Sequence, residues 1–117
     1  MKKVVAVVAV VFWAAWSLAP SLATDDTWLV GKWELSYDPD GNEKDWLEFT
    51  KNGEVFSISS KGRHVPGQYA VTESDIHITY TFNGKAIPIT LKFSPDKRKL
   101  LAYSKRTGNT SEYRKTQ

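Results

Sequence analysis

Leu29-Val30-Gly31-Lys32-Trp33-Glu34-Leu35-Ser36-Tyr37 decides how the rest of the chain is read. Trp33, Leu35 and Tyr37 alternate with Lys32, Glu34 and Ser36, which is the two-residue period of a strand with one buried face. Gly31, just before the large indole, allows another part of the chain to approach the backbone closely. The stretch therefore predicts a first β-strand. It ends at Asp38-Pro39-Asp40-Gly41-Asn42-Glu43-Lys44, a dense cluster of turn formers.

Downstream the same alternation recurs between turns. Trp46-Leu47-Glu48-Phe49-Thr50 places Leu47 and Phe49 on one face and Trp46 and Glu48 on the other. Lys51-Asn52-Gly53 signals a hairpin, and Glu54 to Ser59 follows with Phe56 and Ile58 read as its inward pair. A loop from Ser60 to Pro66 leads to a strand over Gly67–Thr72, then a turn at Glu73-Ser74-Asp75. In Ile76-His77-Ile78-Thr79-Tyr80-Thr81-Phe82 the alternation never misses, and β-branched and aromatic residues dominate. Asn83-Gly84 repeats the hairpin signal before Ala86–Phe93. In that strand Ile87, Ile89, Leu91 and Phe93 share a face, while Pro88 removes a ladder donor and marks a local edge or bulge. Lys99–Ser104 and Ser111–Lys115 complete eight strands. No helical period occurs between them. An up-and-down meander leaves exposed edges unless it rolls up, so the expectation is an all-β, eight-stranded antiparallel barrel in which strand one closes on strand eight. Two packed sheets are the alternative; the short links and the absence of a long crossover favour the barrel.

Upstream the composition changes. Lys2 and Lys3 precede Val4–Leu18, fifteen residues without a charge, then Pro20 and Ser21-Leu22-Ala23. This is the layout of a secretory signal peptide, an apolar helix with small residues before a cut. The run is short of the roughly 20 residues a spanning helix needs. Residues 1–23 are read as the leader, with a cut nearer Ala19 as a variant and a retained anchor as the rival. Residues 24–117 form one barrel domain. The only membrane contact expected is through an uncleaved leader.

The chain has 16 Lys and Arg against 13 Asp and Glu, and the leader holds two of the basic residues. A near-neutral mature part predicts no phosphate-driven affinity for nucleic acid. There is no cysteine. That excludes disulfides, thiolate zinc sites and a lipid-modified cysteine after the leader. The expected location is the periplasm or the medium.

Candidate chemistry is sparse. Asp38, Asp40 and Glu43 surround Gly41, but a calcium loop needs a fuller alternation of oxygen ligands, and Pro-Asp-Gly is turn chemistry by itself. His64 and His77 have no neighbouring nucleophile or ligand set. Lys61, Arg63 and His64, and the run Lys97-Arg98-Lys99, read as solvated turns rather than anion sites. No nucleophile elbow, phosphate loop or dinucleotide fingerprint occurs, so no catalytic residue, metal or cofactor is expected. The aromatics are the better lead. Tyr37, Phe49, Phe56, Tyr69, Tyr80 and Tyr103 are the candidate ligand-binding residues, and the same residue types also serve core packing. Trp46 is either an exposed contact residue or a cover for a barrel end.

Gly31-x-Trp33 at the head of an eight-strand meander, with Arg114 in the last strand, resembles the lipocalin family and its wider calycin group. The resemblance implies a barrel plugged at one end by Trp33 with Arg114 across its face, a cation–π pair joining first strand to last. It implies a non-enzymatic binding protein for a small apolar or amphipathic ligand, with tyrosine hydroxyls fixing orientation. The second reading is a periplasmic protein-binding module such as a protease inhibitor. In small inhibitors of this group the segment before the barrel, here Thr24–Trp28, enters the protease cleft.

Overall fold

The computed structural model describes residues 26–116; the proposed leader and its cleavage site lie outside them. A short 3-10 turn at Thr27–Leu29 precedes eight strands. These are β1 (Gly31–Tyr37), β2 (Asp45–Phe49), β3 (Glu54–Ser59), β4 (His64–Val71), β5 (Asp75–Phe82), β6 (Lys85–Phe93), β7 (Lys99–Tyr103) and β8 (Thr110–Lys115). All neighbours are antiparallel, and the order β8-β1-β2-β3-β4-β5-β6-β7 closes into a barrel. The meander thus removes its own edges by pairing first strand with last.

Side chains opposite one another in a ladder share a face, so the register defines the interior. Trp33 stands opposite Leu47, Phe49 opposite Val55, Ile76 opposite Leu91, and Tyr113 opposite both Leu35 and Leu100. All of these are buried and belong to one apolar cluster. Gly67 faces inward with them, because any Cβ there would meet Tyr80 Cδ1 at 2.8 Å and the Thr79 carbonyl oxygen at 2.9 Å.

Two one-residue offsets change what the sequence predicts. The β2–β3 loop is three residues long, closed by the Thr50 N–H donating to the Glu54 carbonyl at 2.9 Å. A two-residue Asn52-Gly53 loop would set Phe56 opposite Phe49. The longer loop sets Val55 there instead and moves Phe56 opposite Glu48. Sliding a strand by one residue exchanges its faces, so Val55 and Ser57 point inward and Phe56 and Ile58 take the other face, where Ile58, opposite Trp46, is still buried but lies outside the central cluster. Between β5 and β6 the same dipeptide does make a two-residue loop: Phe82 pairs with Lys85, and Asn83 takes φ +53°.

The second offset lies between β1 and β8. Leu35 pairs with Tyr113 but Tyr37 pairs with Glu112, leaving Ser36 unmatched. Such a bulge re-aims the residues beyond it. Tyr37 leaves the face of Trp33 and Leu35 and is 55% exposed.

Candidate functional site

The 3-10 turn closes one end of the barrel. Leu29, read from the sequence as strand, lies fully buried in this turn. Its carbonyl accepts the Trp33 indole N–H at 2.9 Å, so the plug's only polar atom is satisfied. The Trp28 ring meets Trp33 edge-on at 6.1 Å and Phe93 at 5.0 Å, with the Lys97 ammonium 5.5 Å from its centre. Gly31 takes φ +136°, a conformation side chains with a Cβ rarely adopt. The backbone conformation by itself favours glycine at this position.

A cation from the last strand does lie over Trp33, but it is Lys115, not Arg114. The Lys115 Nζ stands 5.9 Å from the ring and donates to the Trp28 carbonyl at 2.8 Å. Tyr113 faces inward, so alternation turns Arg114 outward, opposite Glu34, and brings Lys115 opposite Trp33.

Nearer the other end an inward carboxylate interrupts the apolar wall. Asp45 precedes Leu47 and Phe49 on the same face of β2 and accepts the Tyr113 hydroxyl at 2.9 Å. Burial pushes its pKa up, and the nearby Asp38 charge adds to this; the Tyr113 hydrogen bond opposes it. Burial and the Asp45 charge raise Tyr80 to about 12, opposed by a hydrogen bond with Ser57. Tyr113 is raised further by the same two causes. Both hydroxyls therefore stay protonated at neutral pH.

Asp38 and Asp40 shape the loop beside this end. Asp38 accepts the backbone N–H groups of Asp40 and Asn42 and the Ser111 hydroxyl. Asp40 accepts from Thr107 and Asn109. Loop 38–44 is thereby tied to the β7–β8 loop, and these carboxylates are spent on backbone and side-chain donors.

The wall opens between β6 and β7. β6 pairs with β5 from Lys85 to Lys92, but meets β7 only where Lys92 faces Leu101 and Phe93 faces Leu100. Beyond that point the strands diverge around a cleft of about 900 Å3, lined by Pro88, Ile89, Thr90, Leu101, Tyr103 and Lys105 together with Lys92 and Thr110. Ile87 and Ile89, which alternation aims into the barrel, are 41% and 39% exposed because β7 does not cover them. Tyr103 flanks the opening and is 65% exposed.

Of the sequence-derived aromatic candidates, only Tyr103 lies at this opening. Phe49 is buried in the core, and Tyr69 packs edge-on to it at 5.1 Å while donating its hydroxyl to the Thr50 carbonyl at 2.6 Å. Tyr80 belongs to the Asp45 group, and Tyr37 is outside. Phe56 is also outside, its ring 6.3 Å from that of His64. Trp46 stands on the outer surface opposite Ile58, half-buried under the Lys32 ammonium at 5.8 Å, and covers no barrel end. Sequence reasoning passed over Ile87, Ile89 and Lys105, because inward isoleucines read as core. The signal for the opening was Pro88 and the unequal lengths of β6 and β7.

The fold and site define a closed antiparallel eight-stranded barrel with one plugged end and one loosely joined seam. Comparison with protein-family models, with curated proteins and with solved structures found no match.

Proposed function

We propose that this chain is an exported, non-enzymatic, lipocalin-like binding protein that takes an apolar or amphipathic ligand at the β6–β7 opening. The carrying observation is that the one loosely paired seam exposes the two inward isoleucines, Ile87 and Ile89, and that Ile89 lines the cleft together with Tyr103. A site with apolar walls and few polar groups suits such a ligand. The lower barrel is filled by Trp33, Phe49, Ile76, Ile78 and Leu100, so the seat is lateral rather than axial. The lipocalin resemblance is supported by Gly31-x-Trp33 and by a last-strand cation over that indole, with Lys115 in the expected role of Arg114. The protease-inhibitor reading needs a free segment before the barrel, and Trp28 is instead engaged in the barrel floor.

Native mass spectrometry of protein taken from its own host tests whether a ligand is carried. A titration with an apolar fluorescent dye tests where it sits. Ile89→Lys is expected to weaken dye binding at least about tenfold, the scale of losing one buried apolar contact, with the folded signal unchanged. Dye binding unaffected by Ile89→Lys would refute the site.

A further inference from the structure

We infer that the occupant of the β6–β7 opening is an extended segment of another protein, apolar and acidic in alternation, that adds to β6 as a strand. This rests on the binding reading above and narrows its ligand to a peptide.

The backbone carries the argument first. From Lys85 to Leu91, β6 has a partner strand on one side only. In an antiparallel ladder alternate residues direct their N–H and C=O groups to opposite sides, so this length leaves a row of unpaired groups facing the cleft. Pro88 subtracts one donor from the strand. β7 cannot fill the row. It turns away after Tyr103, where the Ser104 N–H donates to the Asn109 carbonyl and the Gly108 N–H to the Ser104 carbonyl. Unpaired strand edges are what an incoming extended segment recognises, through main-chain hydrogen bonds with alternate side chains giving specificity.

The side chains then specify the segment. Alternate residues of an added strand point into and out of the barrel. Those pointing in meet Ile87 and Ile89. Those pointing out run between Lys92 and Lys105, and the cleft is lined by these two cations and no carboxylate. Lys92 shares its charge with Asp75 at 2.7 Å, whereas Lys105 has no ion-pair partner among the described residues. The chemistry asked for is aliphatic inward and acidic outward. A second copy of this chain fits poorly. An antiparallel β6–β6 pair over the free length of the strand would set Lys85 opposite Lys92, like charge against like, and lysine and proline are the usual guards of an edge against self-association.

The test titrates the protein with a short capped peptide alternating valine and glutamate. Its controls are a lysine-for-glutamate counterpart, an analogue N-methylated at alternate residues, and dodecanoate as a single-chain amphiphile. Backbone amide exchange of residues 85–91 is followed alongside. The acidic peptide should bind and slow exchange along β6 by about tenfold or more. The lysine counterpart should bind at least about tenfold more weakly, and N-methylation should abolish binding. Lys105→Glu, a change at an exposed unpaired side chain, should reverse the charge preference. Equal binding of the methylated and unmethylated peptides, or binding without protection of β6, overturns strand addition. Dodecanoate binding with no peptide binding also overturns it, while leaving the broader reading standing. Failure of every probe overturns both.

Discussion

Trp28→Ala separates a barrel floor from a free recognition segment. Full burial of an indole makes its truncation cost about 3–5 kcal/mol. Trp28 is half-buried, so about 2 kcal/mol is expected from packing alone. Its contacts with Trp33 and Phe93 and the Lys97 ammonium overhead add about 1 kcal/mol. The total of about 3 kcal/mol corresponds, in a domain of this size, to a fall in Tm on the order of 15 °C. The assay is urea unfolding followed by far-ultraviolet circular dichroism, since the mutation itself removes an indole fluorophore. Lys97→Ala should lose only about 0.5 kcal/mol. A Trp28→Ala protein within about 0.5 kcal/mol of the parent, the ordinary range for surface changes, would refute the floor. It would also return the segment to the role of a protruding arm.

Other expectations follow from single contacts. Asp45 has a raised pKa, so the folded state holds its proton more tightly than the unfolded state, and the group's contribution to stability falls as pH rises through its folded pKa. Asp45→Asn should therefore raise Tm at neutral pH, with the advantage shrinking as pH falls towards the ordinary carboxylate value; an advantage that grows on acidification would contradict this. Asp75 behaves oppositely: the hydrogen bond and charge of Lys92 hold it below the usual range, so its contribution is lost as pH falls through that lowered value. Lys115→Met should shift tryptophan emission and cost about 1 kcal/mol by chemical unfolding, whereas Arg114→Met should change neither; the reverse pattern would restore the arginine to the plug. Gly67→Ala drives a Cβ against Tyr80 and the Thr79 carbonyl and should cost about 1–3 kcal/mol, measurable in the same unfolding assay; a neutral outcome would mean that β4 and β5 separate freely.

How far the sequence carries depends on what each feature is made of. The β5 alternation from Ile76 to Phe82 needed nothing beyond its own residues, and the structure buries Ile76, Ile78 and Tyr80 of its apolar face while Phe82, at the strand end, is 37% exposed. Pro88 marked β6 as a local edge, and β6 is where the wall opens. The apolar pair Phe56 and Ile58 suggests an inward face for β3, but loop length decides the register, and the three-residue loop puts Val55 opposite Phe49 instead. Tyr37 was lost from the interior for the same kind of reason, a single unmatched Ser36. The resemblance implies a last-strand cation over Trp33 at Arg114, and the structure puts Lys115 there. The parity of Tyr113 would have named Lys115.

The amino-acid order by itself determined eight strands and their sequence of turns, because alternation and turn chemistry are local, and it favoured closure over two packed sheets without deciding between them. Only the tertiary structure decided which aromatic side chains enter the barrel, since ladder register is fixed by loop lengths and bulges to the single residue. It also decided where the wall stays open. Nine residues of β6 run beside five of β7, and the surplus acquires a meaning only when the two strands are neighbours in a closed ring.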